Sequence, residues 1–157
     1  MPPAPTVPFA TTVHVRDTCL CLHTQRAARV LARRFDDALR PFGLTNNQFS
    51  LLNALNRPAP ASIAEVASLL GADRTTLTAA LKPLVREGLA DAAPDPEDSR
   101  VRRITLTAKG HARLSAALPV WTGTHAALEA QMTDLEPARL RQDLDRIAAT
   151  RPQEMTP

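Results

Sequence analysis

Three helix starts follow one another in the middle of the chain, and they constrain its fold more than any other feature. Thr45 is followed three residues later by Gln48, and Ser62 by Glu65, which is the capping-box pattern of a helix N-terminus. Asp73 is a third good N-cap residue, two positions after Gly71. This spacing predicts short helices joined by a tight turn at Gly71, the arrangement of a helix-turn-helix.

Two further helical segments flank this turn. A long amphipathic helix is predicted over residues 15–39, where apolar residues recur at helical spacing until Pro41 and Gly43 stop the pattern. Its length exceeds what a small core requires, so a helix–helix interface is expected there. The helix that starts after Asp73 reaches about residue 87 and contains Pro83, which removes one backbone hydrogen bond. Its predicted core-facing residues are Leu77, Ala80, Leu81, Leu84 and Val85.

From Leu89 the hydrophobic period changes from that of a helix to that of a strand. Residues 89–92 are predicted as a short strand, residues 94–99 as a turn, and residues 102–107 as the returning strand. The basic residues of this segment are expected at or beside the hairpin tip.

Two helices are predicted after the hairpin. The first runs from residue 107 to about Met132 with an interruption at Pro119, and the second begins with Pro137 at its first position. The apolar stripe of the second consists of Leu140, Leu144 and Ile147. The predicted fold is therefore mainly α with a small β-hairpin wing, a winged helix-turn-helix with a terminal-helix dimerisation arm.

The predicted domain organisation is a single folded domain with loose ends. Residues 1–12 are rich in proline and are predicted to form a flexible N-terminal arm, and residues 151–157 a flexible tail. Within the domain of residues 13–150, residues 44–107 form the winged helix-turn-helix. Residues 13–42 and 108–150 provide the dimerisation helices.

The net charge is concentrated in one part of the chain. The 157 residues carry 19 Lys and Arg against 16 Asp and Glu, a net charge of +3. Residues 74–113 hold eight of these cations and five of the acids, so the rest of the chain is balanced. Of the cations, 17 are Arg, whose forked guanidinium suits phosphates and base edges. This local excess favours a nucleic-acid partner.

Several classes of function are disfavoured. No apolar run approaches the roughly 18–20 residues of a membrane span, and no secretory signal opens the chain, so a cytoplasmic location is expected. His14, His23, His111 and His125 are scattered, so we expect neither a metal site nor a cofactor. A nucleophile elbow and a phosphate-binding glycine loop are missing from the sequence, which argues against an enzyme.

The candidate DNA contacts lie on the second helix of the helix-turn-helix and on the hairpin. Short polar or basic side chains on the outer face of that helix can enter a major groove, and arginines at a wing can reach the adjacent minor groove. The candidate residues are Arg74, Thr75, Thr76, Thr78, Lys82, Arg100, Arg102 and Arg103, with Asp98 placed to orient Arg100 by an ion pair. The alternatives are a merely solvated helix face and turn, or an interaction module that has lost DNA binding.

Several motifs resemble those of the MarR family of bacterial winged-helix regulators. They are Gly43-Leu44-Thr45 before residues 48–52, residues 73–78, and Asp98-Ser99-Arg100 followed by residues 104–110. The resemblance implies a dimer built by the terminal helices that binds palindromic promoter DNA. It further implies a repressor that a small ligand or an oxidant releases.

Two kinds of signal remain open for such a regulator. Cys19 and Cys21 lie where a peroxide-sensing branch of the family carries a reactive cysteine, and His23 follows Cys19 by one helical turn. The tyrosines of that branch are missing, and two cysteines packed in an interface are the alternative. A pocket for an anionic aromatic ligand is the other hypothesis, lined by Arg16, His23, Arg26, Phe49 and Trp121, for which core packing and solvated arginines are the alternative.

Overall fold

The computed structural model describes residues 6–150, so part of the predicted arm and the whole predicted tail lie outside the described residues. The helices are α1 (Phe9–Thr18), α2 (Leu20–Leu39), α3 (Asn46–Leu55), α4 (Ile63–Leu70), α5 (Arg74–Arg86), α6 (Ala108–Glu129) and α7 (Pro137–Ala149). The strands are β1 (Ala61–Ser62), β2 (Ala90–Pro94) and β3 (Arg102–Leu106), and a 3-10 turn spans Arg40–Phe42. The mainly helical fold with a small antiparallel wing is confirmed.

The chain forms two compact units that divide after Arg34. The first contains α1 and most of α2, and no residue of α1 is buried. The single helix predicted over residues 15–39 is wrong, because the backbone of Cys19 is extended and separates α1 from α2. Helix α1 also begins at Phe9, inside the segment predicted as a flexible arm. Pro8 is the N-cap residue of α1, and its ring fixes φ near −59° in the extended backbone that precedes the helix.

The second unit contains the hydrophobic core. Its most deeply buried side chains are contributed by the end of α2 and by α3, α4, α5, β3 and the residue before β2, namely Leu39, Leu51, Leu52, Val66, Leu84, Leu89 and Ile104. Fully burying a side chain of this size contributes roughly 1.5–3 kcal/mol. The core therefore fixes the positions of the helix-turn-helix and of the wing together.

All three predicted helix starts are found. Thr45 and Gln48 form a reciprocal capping box at α3, and Ser62 and Glu65 form another at α4. Asp73 caps α5. Gly71 ends α4 with φ +62°, in the left-handed region that favours glycine, and this allows the tight turn into α5.

The sheet has one strand more than the predicted hairpin. Strands β2 and β3 pair antiparallel from Ala90 opposite Leu106 to Pro94 opposite Arg102. Strand β1 pairs with the other edge of β3, so the strand order is β1-β3-β2. A two-residue strand has too short a pattern to be recognised from sequence, and only its partner β3 defines it.

Two details of the helix predictions are wrong. Helix α6 continues through Pro119 without interruption and ends at Glu129. The loss of one N–H donor is tolerated because Leu114 and Ala117 are buried and hold the helix in place. In α5, Val85 is 39% exposed, since it lies about 100° around the helix from the buried Leu84. Among the described residues, no helix has both the length and the apolarity to cross a membrane.

Gly110 marks a close approach between the start of α6 and the residue before β2. A Cβ atom at this position would lie 2.0 Å from the Leu89 carbonyl oxygen and 3.1 Å from a methyl carbon of Leu106. The same carbonyl accepts a hydrogen bond from the Thr107 amide, and the Thr107 hydroxyl donates to the Gly88 carbonyl at 2.6 Å. These contacts join the base of the wing to α6.

We expect Gly110→Ala to destabilise the protein by about 1–3 kcal/mol or more, because the backbone carbonyl of Leu89 has to move. The matched control is Gly123→Ala in the same helix, where a Cβ atom meets nothing within 4 Å. That substitution should stabilise by roughly 0.5–1 kcal/mol, since alanine loses less entropy in a helix. Urea denaturation measures both, and equal effects of the two substitutions would contradict the close approach.

Candidate nucleic-acid interface

The first turn of α5 is held by the Asp73 carboxylate. One of its oxygens accepts from the Thr76 amide at 2.8 Å, and the other accepts from the Thr76 hydroxyl at 2.7 Å. These bonds, the amide first, hold the pKa of Asp73 below its ordinary value. Thr76, predicted as a DNA contact, is thereby engaged in capping, and its hydroxyl proton is not free for a base or phosphate.

The burial of α5 decides which face is exposed. Leu77, Leu81 and Leu84 are buried on one side, and the outward side carries the exposed residues Arg74, Thr75, Thr78 and Lys82. The Thr78 hydroxyl donates to the Arg74 carbonyl at 2.7 Å, so its oxygen lone pairs face outward as acceptors. The predicted reading face of this helix is therefore exposed as a continuous surface.

The wing turn is organised by two aspartates. The Asp95 carboxylate accepts from the amides of Glu97 at 2.8 Å and of Asp98 at 3.3 Å. The Asp98 carboxylate accepts from the Arg100 amide at 3.0 Å. Asp98 thus acts on the backbone of Arg100, whereas the sequence predicted an ion pair with its guanidinium.

A groove brings the predicted helix and wing residues together. A cleft of about 320 Å³ is lined by Arg74 and Thr78 of α5, by Arg100 and Arg102 of the wing, and by residues 62–64 at the start of α4. Arg74 and Thr78 also line an adjoining hollow that contains Thr75 and Lys82. We call this surface the basic groove and define it by Arg74, Thr75, Thr78, Lys82, Arg100 and Arg102.

Arg103 has a different environment from the other predicted contacts. Its guanidinium forms an ion pair with Asp95 and a second one with Glu65 at 3.3 Å. The hydrogen bond from Arg103 is the main cause that lowers the pKa of Asp95, and in turn Asp95 raises the pKa of Arg103. These partners of Arg103 were not predicted, because Glu65 lies 38 residues away along the chain.

The residues predicted to line a ligand pocket belong to both units. In the second unit, the rings of Phe49 and Trp121 stack with centroids 5.8 Å apart, and Phe49 is 4% exposed. Trp121 also stacks on His125 at 5.0 Å, a residue one helical turn later that the sequence prediction missed despite this spacing.

The remaining three predicted pocket residues, Arg16, His23 and Arg26, are exposed in the first unit. Arg16 forms an ion pair with its neighbour Asp17 at 2.6 Å.

Both cysteines are free thiols of the first unit. The Cys19 sulfur accepts from the Leu22 amide at 3.4 Å, as a capping side chain at the start of α2 does. Cys21 is exposed, and its sulfur accepts from the Gln25 side-chain amide at 3.1 Å.

Comparison with known proteins shows which protein family and which solved structures this chain is similar to. The model of the MarR family matches residues 42–101. The structure of the M. tuberculosis transcriptional regulator MosR in complex with DNA is 42% identical, with 83% of this chain and 93% of that chain covered at a TM-score of 0.75. A mutant of E. coli MarR complexed with operator DNA is 25% identical, with 85% and 96% covered at a TM-score of 0.75.

A curated relative matches over a shorter segment. The transcriptional activatory protein BadR of Rhodopseudomonas palustris is 33% identical over 88 residues, which are 54% of this chain and 50% of that protein. The chain therefore spans about half the length of this relative.

The Asp73 cap should stabilise α5 in a pH-dependent way. A carboxyl with a lowered folded pKa contributes stability that is present above its unfolded pKa of about 3.9 and is lost as the pH falls through the folded value. Asp73→Asn retains an acceptor but removes this charge. We expect the variant to be less stable than the wild type at pH 7 and the difference to disappear toward pH 2–3, as measured by urea denaturation. A difference that persists unchanged at low pH would contradict this role.

Proposed function

The chain belongs to the MarR family of transcriptional regulators, and we propose that it is a sequence-specific DNA-binding repressor that a small anionic aromatic ligand releases from promoter DNA. In this proposal it acts in the bacterial cytoplasm as a homodimer on a palindromic operator. The family makes the chain a regulator and not an enzyme. The observation that carries the proposal is the basic groove, in which an exposed helix face and two wing arginines line one surface.

The chemistry of the groove suits duplex DNA. A major groove of about 12 Å width admits an α-helix, and the exposed Thr75, Thr78 and Lys82 of α5 offer hydroxyl and ammonium groups to base edges or phosphates. Arg74 and Arg100 are fully charged forks suited to guanine edges and phosphates. Arginines at a wing favour the narrow minor groove of A·T-rich DNA, where the negative potential is concentrated. The relatives MosR and MarR, which were crystallised with DNA, support the same partner.

The homodimer is supported by the apolar surface of α7. No residue of this helix is buried, although Leu140, Leu144 and Ile147 recur at helical spacing and are 36–49% exposed. A stripe of this kind is typical of an unfilled helix–helix interface. We therefore propose that residues 13–42 and 108–150 supply the dimerisation helices, and that residues 44–107 bind DNA.

Arg100→Ala should weaken binding to the gene's own upstream region and lower the magnitude of the slope of log K against log salt concentration by about 1.8. The variant removes one phosphate contact per chain, so the homodimer loses two contacts at about 0.9 each. Fluorescence anisotropy at several salt concentrations measures both quantities.

The control for this prediction is Arg57→Ala, which removes an exposed cation that lies outside both the basic groove and the proposed dimerisation helices. It should leave affinity and slope near the wild-type values. Unchanged affinity and slope in Arg100→Ala would remove the wing from the interface.

Release of the repressor from promoter DNA requires an effector, and we propose that this effector is a small anionic aromatic compound. Arg16 and Arg26 are exposed cations that could bind its carboxylate, and His23 could donate a hydrogen bond. In the second unit, the half-buried Trp121 supplies the aromatic surface, and the buried Phe49 ring stacks on it. The five-residue ligand site stays a prediction.

A thiol switch at Cys19 is the second candidate, and the environment of the sulfur favours it. Cys19 is only half-buried, and its sulfur accepts a hydrogen bond from the Leu22 amide at the start of α2, which leaves the thiol within reach of a small oxidant. Hydrogen peroxide would convert the Cys19 thiol to a sulfenic acid and release one water.

If the thiol switch operates, Cys19→Ser should bind DNA like the wild type and lose the release by hydrogen peroxide in a gel shift. Cys21→Ser is the matched control and should be released as the wild type is. Release of Cys19→Ser by peroxide to the wild-type extent would exclude Cys19 as the sensing thiol.

A further inference from the structure

Arg103 lies at the centre of the small sheet. It occupies the middle strand β3, opposite Ser62 of β1 on one side and Ala93 of β2 on the other. Its side chain is 37% exposed, and it reaches Asp95, whose side chain is only 11% exposed. The arginine is therefore held between the start of α4 and the start of the wing turn.

Each of the two carboxylates also accepts hydrogen bonds from backbone amides. Glu65 accepts from the Ser62 amide at 2.7 Å and so closes the capping box of α4 with the same oxygen that faces Arg103. Asp95 accepts from the amides of Glu97 and Asp98 in the wing turn. The guanidinium thus links two carboxylates that each fix a different piece of main chain.

The link continues to the wing arginine of the basic groove. Asp98, whose amide is bound by Asp95, accepts in turn from the amide of Arg100. An unbroken series of hydrogen bonds and ion pairs therefore runs from Glu65 through Arg103, Asp95 and Asp98 to the backbone of Arg100.

The local charge makes Arg103 a poor phosphate ligand. Two carboxylates surround one guanidinium, so the cluster of Glu65, Asp95 and Arg103 has a net charge of −1. A phosphate that approached Arg103 would have to displace a carboxylate and face its repulsion. Arg102, which directly precedes Arg103 on β3, lines the basic groove and has no ion pair among the described residues.

We propose that Arg103 is a positioning residue, which holds the wing against the start of α4 so that Arg100 and Arg102 line one groove with Arg74, and that it does not itself contact DNA. The inference rests on the proposed DNA-binding function and deepens it. A forked guanidinium can bridge two carboxylates at once, whereas an ammonium binds as a point charge. The position therefore requires arginine specifically and not only a positive charge.

The binding experiment uses the full chain and a duplex that the wild-type protein selects from a randomised pool. Arg103→Gln should lower the affinity by roughly two- to thirtyfold and leave the slope of log K against log salt concentration at its wild-type value. Arg103→Lys should bind as weakly as Arg103→Gln, because the charge alone does not restore the bridge. The comparison variant Arg102→Gln should lower the magnitude of the slope by about 1.8, because the homodimer loses two phosphate contacts at about 0.9 each.

A measurement on the free protein separates this inference from the proposed function. Amide exchange followed by NMR should be faster at Glu97 and Asp98 in Arg103→Gln than in the wild type, and unchanged in Arg102→Gln. Glu65→Gln, which retains a capping-box side chain but removes one ion-pair partner, should raise these exchange rates by less than Arg103→Gln does.

Two results would overturn the positioning role. One is a salt slope that falls in Arg103→Gln as it does in Arg102→Gln, and the other is wing amide exchange that does not change. If the wild type selects no duplex from the pool, the proposed function fails, and the exchange rates still test the link between Arg103 and the wing turn.

Discussion

The burial of Leu77, Leu81 and Leu84 on one side of α5 is the interaction on which the candidate interface depends. These side chains belong to the same core as Leu89 and Ile104, so one set of apolar contacts orients the helix and anchors the base of the wing. Since an α-helix has only one free face when the other is buried, the core also decides which residues of α5 are exposed in the basic groove. Polar contacts on the exposed side refine this orientation and do not create it.

The wing shows how charge compensation divides arginines that look alike in sequence. Arg100, Arg102 and Arg103 lie within four consecutive residues, so the sequence alone indicates a single basic patch. Because successive side chains alternate between the two faces of a strand, Arg102 and Arg103 lie on opposite faces of β3. Of these two arginines, only Arg103 forms ion pairs with carboxylates among the described residues. An arginine with two carboxylate partners contributes to the geometry of a binding surface, and one without them contributes its charge.

Local hydrogen bonding explains which features could be predicted from the sequence. The helix starts at Thr45, Ser62 and Asp73 were predictable because each cap bonds to an amide three residues away. The basic groove was largely predictable for a similar reason, since the helix face and the wing each follow from short-range periodicity. The uninterrupted helix through Pro119 was not predictable, because proline favours a break. The break at Cys19 was not predictable either, because a single cysteine carries no strong signal that ends a helix.

The ion pairs of Arg103 could not be predicted from short-range sequence patterns. They reduce the number of cations in residues 74–113 whose charge is not cancelled by a carboxylate. Two further cations of this stretch also bind inside the molecule, since Lys109 donates to the Glu87 carbonyl at 2.7 Å and Arg113 to the Phe42 carbonyl at 2.8 Å. Neutral acceptors leave the charge of these two cations intact, whereas the carboxylates at Arg103 cancel its charge. The positive field at the basic groove is therefore set by fewer cations than the composition suggests, and its centre is supplied by Arg74, Lys82, Arg100 and Arg102. Because these four side chains reach the groove from α5 and from the wing, their spacing depends on the angle between the two elements, which is the quantity that we propose the Arg103 bridge holds.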